Sequence, residues 1–367
     1  MLATQTNALA APVQVVTARE PRLTWKQIAG STDPFLSAVA RRLAGQIDEF
    51  DPEIATYAEY ALTNQGKQLR PALVALSAGA TGRINETHVL AAVIIEMVHL
   101  ATLVHDDVMD EAEIRRGRPT LAANWGNEIS VLVGDCLFAN ALKLAAGFPT
   151  PEICRAVAAA TNTVCSGEIL QTQCRKNFEL SRAEYFKVLQ MKTGELFALS
   201  CDLGAYLSGA GPGQRTALRQ YGLGVGTAYQ VYDDCLDLFG SEAAAGKSLG
   251  TDLAKGKLTL PMLLLLERAE SRERARIRTL VQHWEPGYFP QLMGLLQAHQ
   301  ALEASRQAVH QYLHSARQTL NGLPESESRA GLFCLTEYLA QQTDALRGPN
   351  LNDSNYERTG PPEGPAS

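Results

Sequence analysis

Residues 86–110 read ETHVLAAVIIEMVHLATLVHDDVMD, a mostly apolar run that ends in the pattern DDxxD at Asp106, Asp107 and Asp110. Its apolar residues recur at three- and four-residue spacing, which predicts a helix over Glu86–Met109. On a helix, positions i and i+4 lie about 40° apart around the axis and i+1 about 100° away, so the three carboxylates share one face. Solvated acidic faces do not usually interrupt such apolar stretches. One copy alone is still weak evidence, because acidic triplets are common on the solvated faces of helices.

The same pattern returns at Asp233, Asp234 and Asp237, again after mostly apolar residues, 224–229. Two acidic faces that meet in a partly buried site would repel each other strongly without counterions. Mg²⁺ relieves this repulsion, because it takes oxygen ligands and usually keeps waters and substrate phosphates as partners. The two motifs together predict a Mg²⁺ cluster that holds a diphosphate.

Basic side chains flank the first motif on both sides. They are Lys67 and Arg70 in the turn GKQLRP, His99 two helical turns before Asp106, and Arg115 and Arg116 just after the motif. Arg offers planar, multidentate donors to phosphate oxygens, and Lys acts as a compact charge. Alone, each cluster is more often a solvated surface and His99 a core residue. Beside the aspartates they become candidate diphosphate ligands.

A glycine-containing loop, GSEAAAGKSLGTDLAKG at 240–256, follows the second motif directly. It carries Lys247 and Lys255, and Lys257 comes just after it. Placed after an aspartate motif, a lysine-bearing loop suits a lid that closes over diphosphate. The alternative is an ordinary exposed loop with solvated lysines.

Composition restricts the class of protein. The 367 residues carry a net charge of −6, which argues against a general binder of nucleic acid or anionic membranes. No apolar run reaches about 18 residues, so we expect no transmembrane segment. The seven cysteines are scattered without zinc-ligand spacing, and we expect a reduced, cytoplasmic compartment.

Most of the chain reads as helix, and we predict an all-α, single-domain fold over 25–345. Residues 1–24 read as a flexible lead-in and 346–367 as a disordered tail. The predicted helices are Leu36–Glu49, Ile54–Thr63, Arg70–Ala80, Glu86–Met109, Ile129–Ala146, Ile153–Asn177, 181–208, 214–239, 258–270, 273–283 and 289–322.

The ordered set of motifs resembles the trans-isoprenyl (polyprenyl) diphosphate synthases, in particular long-chain members such as octaprenyl and solanesyl diphosphate synthase. The motifs that carry the resemblance are GKQLRP, HLATLVHDDVMDEAEIRRGRPT, WGNEISVLVGDCLF, GEILQ, KTGELF, YQVYDDCLD and GKSLGTDLAKGKLTLP. The resemblance implies a large helical bundle around a deep central cavity, in a homodimer. It also implies condensation of isopentenyl diphosphate with an allylic diphosphate, repeated to build an all-trans polyprenyl diphosphate.

The resemblance also assigns roles by position. Mg²⁺, three ions per site, is implied to bind at Asp106, Asp107, Asp110, Asp233, Asp234 and Asp237. Isopentenyl diphosphate is implied to bind at Lys67, Arg70, His99 and Arg116. The allylic diphosphate is implied to bind at Arg115, Lys192, Lys247 and Lys257. Near the developing cation the resemblance places Thr193 and Gln230.

The small residues Ala101 and Thr102, one turn before Asp106, favour a long product. In short-chain members bulky residues around this point form a floor. With Ala101 the tail passes further down, each turn adding roughly 5.4 Å, and about thirty-five to forty-five carbons are expected. The alternative is that Ala101 is only a good helix former, that the floor lies on another helix, and that the product is farnesyl or geranylgeranyl diphosphate.

Other readings differ in what they require of the sequence. A class I terpene cyclase usually carries one aspartate motif and a mixed second metal motif, and a silent regulatory subunit loses aspartates or arginines; neither fits this chain. A catalytic subunit that needs a small partner stays open, as does peripheral membrane contact for product release. Gln342 stands where many relatives have a basic residue, a role that Arg347 could take over.

Overall fold

The computed structural model describes residues 23–63, 66–240 and 249–347. Most of the predicted lead-in and tail, and Lys247 of the loop, lie outside these ranges. Within them the protein is all-α, as predicted. The described α-helices are α1 (Trp25–Ala29), α2 (Asp33–Ala44), α3 (Ala55–Thr63), α4 (Leu69–Thr81), α5 (Glu86–Met109), α6 (Leu121–Ala146), α7 (Glu152–Gln173), α8 (Arg182–Leu189), α9 (Glu195–Leu207), α10 (Pro212–Phe239), α11 (Thr251–Ala254), α12 (Leu260–Arg268), α13 (Ser271–Gln282), α14 (Phe289–Ala298), α15 (Ala301–Thr319) and α16 (Glu327–Ala345). The described strands are β1 (Ile114–Arg115) and β2 (Arg118–Pro119), an antiparallel pair.

The two aspartate motifs end the long helices α5 and α10. Helix α5 begins where the side chain of Asn85 accepts a hydrogen bond from the backbone N–H of Thr87, and α10 ends at Gly240. Helix α9 packs against both, and α4 packs against α5 and α9. Since α5 is apolar nearly all round, most of it is buried in the core, as expected for a central helix. The bundle thus holds both motifs at helix ends.

Several helix boundaries differ from the predicted ones for local reasons. Helix α6 begins at Leu121, where Thr120 caps it, and Gly126 with φ +85° interrupts it before the predicted start at Ile129. The predicted helix 289–322 is broken at Gln300, whose φ is +51°. Helix α16, which the apolar spacing did not predict, begins where Ser326 accepts a hydrogen bond from the backbone N–H of Arg329.

A π-helical turn, Gln190–Gly194, divides the predicted helix 181–208 into α8 and α9. Single π turns inside helices are rare and occur frequently at functional sites, because the wider turn re-aims the side chains it carries. This turn carries Lys192 and Thr193, two residues that the sequence assigns to the site.

Two of the described helices, α5 and α6, are long and apolar enough to cross a membrane by length and composition. In α5, 72% of the most apolar window is buried inside the protein. In α6 the buried share is 39%. The core helix of a globular domain meets the same criterion, and α5 is such a helix. On α6 the apolar side chains Val131 and Leu132 are 41% and 60% exposed.

Candidate active site

A cavity of about 1030 Å³ opens beside the ends of α5 and α10. Its walls come from α5, α6, α7, the π turn, α10 and the segment 66–70. The predicted site residues that line it are Lys67, Arg70, His99, Thr102, Asp106, Arg115, Arg116, Lys192, Thr193, Gln230 and Asp233. Residues from segments far apart in the sequence therefore meet around one space, with Asp106 and Asp233 on different helices facing it.

Each carboxylate of the first motif lies close to a basic side chain. Arg115 Nε donates to Asp107 Oδ1 at 2.6 Å, and Lys257 Nζ donates to Asp110 Oδ2 at 3.0 Å. Lys192 Nζ lies 3.9 Å from Asp106 Oδ2. Burial opposes ionisation of Asp110, but the neighbouring lysines outweigh it and lower the pKa of that carboxyl. For Asp106 burial dominates and raises the pKa to about 6.

The second motif is held by hydrogen bonds from neutral side chains. Tyr185 OH donates to Asp234 Oδ2 at 2.5 Å, and Gln230 Nε2 donates to Asp234 Oδ1 at 3.0 Å. Thr193 Oγ1 in turn donates to Gln230 Oε1 at 2.7 Å. Burial raises the pKa of Asp234 to about 8. The π turn, α8 and α10 are thereby joined through one carboxylate.

Asp237, the last residue of the second motif, is fully buried and does not line the cavity. It accepts hydrogen bonds from Thr251 Oγ1 at 2.6 Å and from the backbone N–H of Asp252 at 3.1 Å. Its carbonyl accepts from the N–H of Gly250 at 2.8 Å. These hydrogen bonds hold the start of α11 against the end of α10. The metal-ligand role of Asp237 stays a prediction.

Three further side chains contact Lys192 or the second aspartate motif, although they were given no role from the sequence: Glu168, Gln171 and Tyr185. Glu168 Oε2 lies 2.7 Å from Lys192 Nζ, and Gln171 Oε1 accepts from the same ammonium at 2.8 Å. Both come from the motif GEILQ, which carried the resemblance without a role for its residues. Tyr185, the third, lies 49 residues before its partner Asp234, and no local pattern indicates it.

The part of the cavity lined by Arg70, His99 and Arg116, here called the basic end, also contains one buried acid. Arg70 is half-buried over the ring of Phe197, at 4.9 Å, and its Nε has no hydrogen-bond partner in the described part of the chain. Burial, with nearby guanidinium groups, lowers the pKa of His99 well below its usual value, so the imidazole is neutral at pH 7. Glu96 is 3% exposed and lines the same space. An unpaired buried donor beside a neutral imidazole suits an anionic ligand.

The guanidinium of Arg116 packs closely against the main chain at Gly66. A Cβ atom at that position would lie 2.7 Å from Nη2 of Arg116, so a larger residue would displace the arginine side chain from the GKQLRP turn. Lys67 Nζ lies 3.3 Å from the hydroxyl of Tyr338 on α16. Gln342 shares a small cleft with these two residues, whereas Arg347 is exposed at the end of the described chain.

Ala101 and Thr102 differ in what they face. Ala101 is fully buried in the core and does not line the cavity, whereas Thr102 does. Beyond Thr102 the cavity wall is apolar and comes from three helices; its residues include Leu103, Val131, Phe138, Val164 and Ile169. The cavity lining thus has a charged part and an apolar part.

The carboxylate oxygens of the two motifs are suitable ligands for a hard divalent cation, although the described residues alone do not provide a full coordination shell. Among the described residues, no group of three or more His, Cys, Asp or Glu side chains is placed to hold a metal ion. Mg²⁺ commonly takes only one or two carboxylates and completes its shell with water and substrate phosphates. Carboxylates of this kind are present at the end of α5, in Asp106, Asp107 and Asp110, and near the end of α10, in Asp233.

A model of the polyprenyl synthetase family matches residues 51–287, more than half of the chain. The chain is 33% identical to octaprenyl diphosphate synthase of Haemophilus influenzae over 84% of its own length and 94% of that protein. It is 34% identical to heptaprenyl diphosphate synthase component 2 of Bacillus subtilis over 84% and 88% of the two lengths. It also superposes with a TM-score of 0.82 and 31% identity on a polyprenyl synthase of Caulobacter crescentus, solved with calcium and isoprenyl diphosphate; the match covers 88% and 99% of the two chains.

Without metal, the buried carboxylate of Asp106 should lower the free energy of unfolding. Burial raises its pKa from 3.8 to about 6, so this destabilisation is complete above pH 6, where the carboxylate is ionised in the folded protein. It disappears towards pH 4, where the group becomes protonated in both the folded and the unfolded protein. Asp106→Asn should therefore raise the melting temperature in EDTA at pH 7.5 by roughly 2–5 °C, and by less at pH 5. Asp48→Asn, at an exposed position, is the control. An Asp106→Asn melting temperature equal to or below wild type at pH 7.5 would contradict this reading.

Proposed function

The chain belongs to the polyprenyl synthetase family, and from this premise we infer that it is a trans-prenyltransferase that condenses isopentenyl diphosphate repeatedly with an allylic diphosphate. The family assignment confirms the resemblance predicted from the sequence. One observation carries the site assignment: Asp106 and Asp233, from two motifs on separate helices, face one cavity whose lining also has a basic part and an apolar part.

We propose that the allylic diphosphate lies at the aspartate end and isopentenyl diphosphate at the basic end. Lys192 and Arg115 face the first position, and Arg70, Arg116 and Lys67 surround the second. His99, neutral at pH 7, donates one N–H to the isopentenyl diphosphate. Six carboxylates and three Mg²⁺ ions are proposed for the allylic end; when bound, Mg²⁺ neutralises the charge on the departing diphosphate.

The reaction begins when the allylic C–O bond breaks and the diphosphate leaves with the bonding pair. The double bond of isopentenyl diphosphate attacks the allylic cation, forming a C–C bond, and the released diphosphate accepts the proton lost from the adjacent carbon. Gln230 and Thr193, hydrogen-bonded to each other, present oxygen dipoles at the place where the cation develops. Lys192, held by Glu168 and Gln171, is positioned to stabilise the departing charge.

The activity is tested with the purified full chain, labelled isopentenyl diphosphate, and several allylic primers. We expect polyprenyl diphosphates in Mg²⁺ and none in EDTA. Asp233→Asn should lower the rate by roughly 100-fold or more, because it removes a carboxylate oxygen that would hold a Mg²⁺ ion, and loss of one group's transition-state stabilisation typically costs that much. Asp48→Asn should leave the rate unchanged. Product formation in EDTA, or full activity of Asp233→Asn, would contradict the proposed site.

We propose a long-chain product whose tail runs between α5, α6 and α7. The apolar wall continues from Thr102 through Leu103 to Phe138, whose ring lies 5.7 Å from that of His105. Ala101 is buried and does not line this space, so of the two small residues we propose Thr102 as the one that meets the tail on α5. Octaprenyl and heptaprenyl synthases among the relatives support this product class.

Product length should respond to residues that face the cavity. Thr102→Phe should shorten the main product by one or more isoprene units, since the ring fills the path, and Phe138→Ala should lengthen it. Phe148→Ala, at a partly buried position outside the cavity lining, serves as the control. The products are dephosphorylated and sized by chromatography. An unchanged distribution in Thr102→Phe would place the limiting contact elsewhere.

We propose that the uncovered side of α6 is the contact between two copies of the chain. Leu132 on α6 and Ile169 on α7 are each 60% exposed, and Ile169 and Val131 also line the cavity. In one copy the cavity wall is therefore open to water, which would quench an allylic cation. A second copy covers this wall and completes it. The relative named as a component of heptaprenyl synthase supports a small-subunit partner as the alternative.

The oligomeric state is measured by analytical ultracentrifugation. The full chain should sediment at twice its mass of 39.7 kDa, and Leu132→Lys should shift it towards the monomer, because a charge would be buried in the contact. Ile84→Lys, at an exposed apolar position between α4 and α5, should stay dimeric. A monomeric, fully active wild type would exclude the homodimer, and activity that appears only with added cell extract would favour the small-subunit partner.

We further propose that the protein works in the cytoplasm, with peripheral membrane contact for release of its product. All seven cysteines are free thiols, which suits a reducing compartment. Cys235, inside the second motif, is buried.

A further inference from the structure

Three basic side chains converge on a single carboxylate at the end of α5. Arg175 Nη2 donates to Asp110 Oδ1 at 3.3 Å, and Lys257 Nζ donates to Oδ2 at 3.0 Å. Lys255 Nζ lies 3.6 Å from the same Oδ2. All four side chains are partly or largely buried. Two of the cations, Arg175 and Lys255, have no part in the site described above.

The cluster leaves one arginine donor unused. Asp252 lies 3.8 Å from Lys257, and Asp107 adds a further negative charge near Lys255. Arg175 Nε is buried and makes no hydrogen bond within the described residues. A partly buried arginine with an unused N–H, beside two lysines that share its carboxylate, is suited to bind a further anion.

The backbone places the cluster at the rim of the aspartate end. Met109 and Gln173, which line the cavity, stand one and two residues before Asp110 and Arg175. The end of α7 is joined to the segment after α11, because the N–H of Lys176 donates to the carbonyl of Gly256 at 2.7 Å. Arg175 and Lys255 are thus brought together from two segments by main-chain contacts as well as by Asp110.

We propose that Arg175 and Lys255 are two further binding residues for the allylic diphosphate, held by Asp110 until metal and diphosphate arrive. This inference rests on the function proposed above. With Asp110 engaged as an oxygen ligand of Mg²⁺, Arg175 and Lys255 would be left to bind the diphosphate oxygens. Arg175 offers a planar fork with an unused N–H, and Lys255 offers a compact charge on the neighbouring segment.

The test measures binding, without turnover, by isothermal titration calorimetry. The ligand is farnesyl thiodiphosphate, an allylic analogue whose C–S bond ionises very slowly, in Mg²⁺. Arg175→Gln and Lys255→Gln should each weaken its binding by about tenfold or more, because each removes a charge-assisted hydrogen bond. Arg175→Lys should recover part of the loss. Arg182→Gln, which removes an exposed ion pair with Glu267 on α12, is the matched control and should bind as wild type.

A second titration with Mg²⁺ alone separates binding residues from simple counterions. If Arg175 and Lys255 only neutralise Asp110, the Gln variants will bind Mg²⁺ more tightly and the analogue as well as wild type does, which would overturn the inference. Melting temperatures of all variants show that each is folded. Failure of the wild type itself to bind the analogue in Mg²⁺ would instead reject the proposed function, so the two failures are distinguishable.

Discussion

The concentration of carboxylates at the ends of two largely buried helices is the constraint on which the site depends. Burial, helped by neighbouring carboxylates, raises the pKa of Asp106 to about 6 and that of Asp234 to about 8, so the fold makes ionisation of its own site costly. The carboxylates of the two motifs have different kinds of partner. Those of α5 lie beside arginine and lysine side chains, whereas Asp234 accepts neutral hydrogen bonds from Tyr185 and Gln230. A site arranged in this way is ready to exchange its own partners for a metal ion and a diphosphate.

The sequence was sufficient for the features that depend on local periodicity. Helices α5 and α10 end close to the ends of the two motifs. This could be predicted because the apolar spacing of both helices and the acidic residues at their ends are visible in the sequence. The partners of those acids were not visible. Asp234 meets Tyr185, and Asp110 meets Arg175, through contacts 49 and 65 residues apart that only the packed bundle defines. Convergence of two motifs could therefore be predicted, but the counterion of each carboxylate could not.

The position of a residue within a helical turn explains the remaining differences between the predicted site and the observed one. Consecutive residues on a helix point about 100° apart, so Ala101 enters the core and Thr102 faces the cavity, although the sequence treats both as small residues near the motif. The last aspartate of the second motif is a similar case. Asp237 lies one turn beyond Asp233, where the chain leaves α10, and it accepts hydrogen bonds from the returning segment at Thr251. The π turn at Lys192 lies in a sequence that reads as uninterrupted helix, so its re-aimed side chains became apparent only in three dimensions.

In the proposed function, the difference between the two charged parts of the cavity lining accounts for the choice of leaving group. Arg70 and Arg116 lie near one buried acid, Glu96, so fixed positive charge would hold an anion there without a metal. Around Asp106 and Asp233 acids predominate, so a diphosphate would enter there with divalent cations that neutralise both it and the carboxylates. Electrostatic stabilisation of a departing diphosphate would therefore be concentrated beside the aspartates. Of the two proposed substrates, only the one bound there is activated to ionise, and the apolar part of the cavity receives the chain that grows from it.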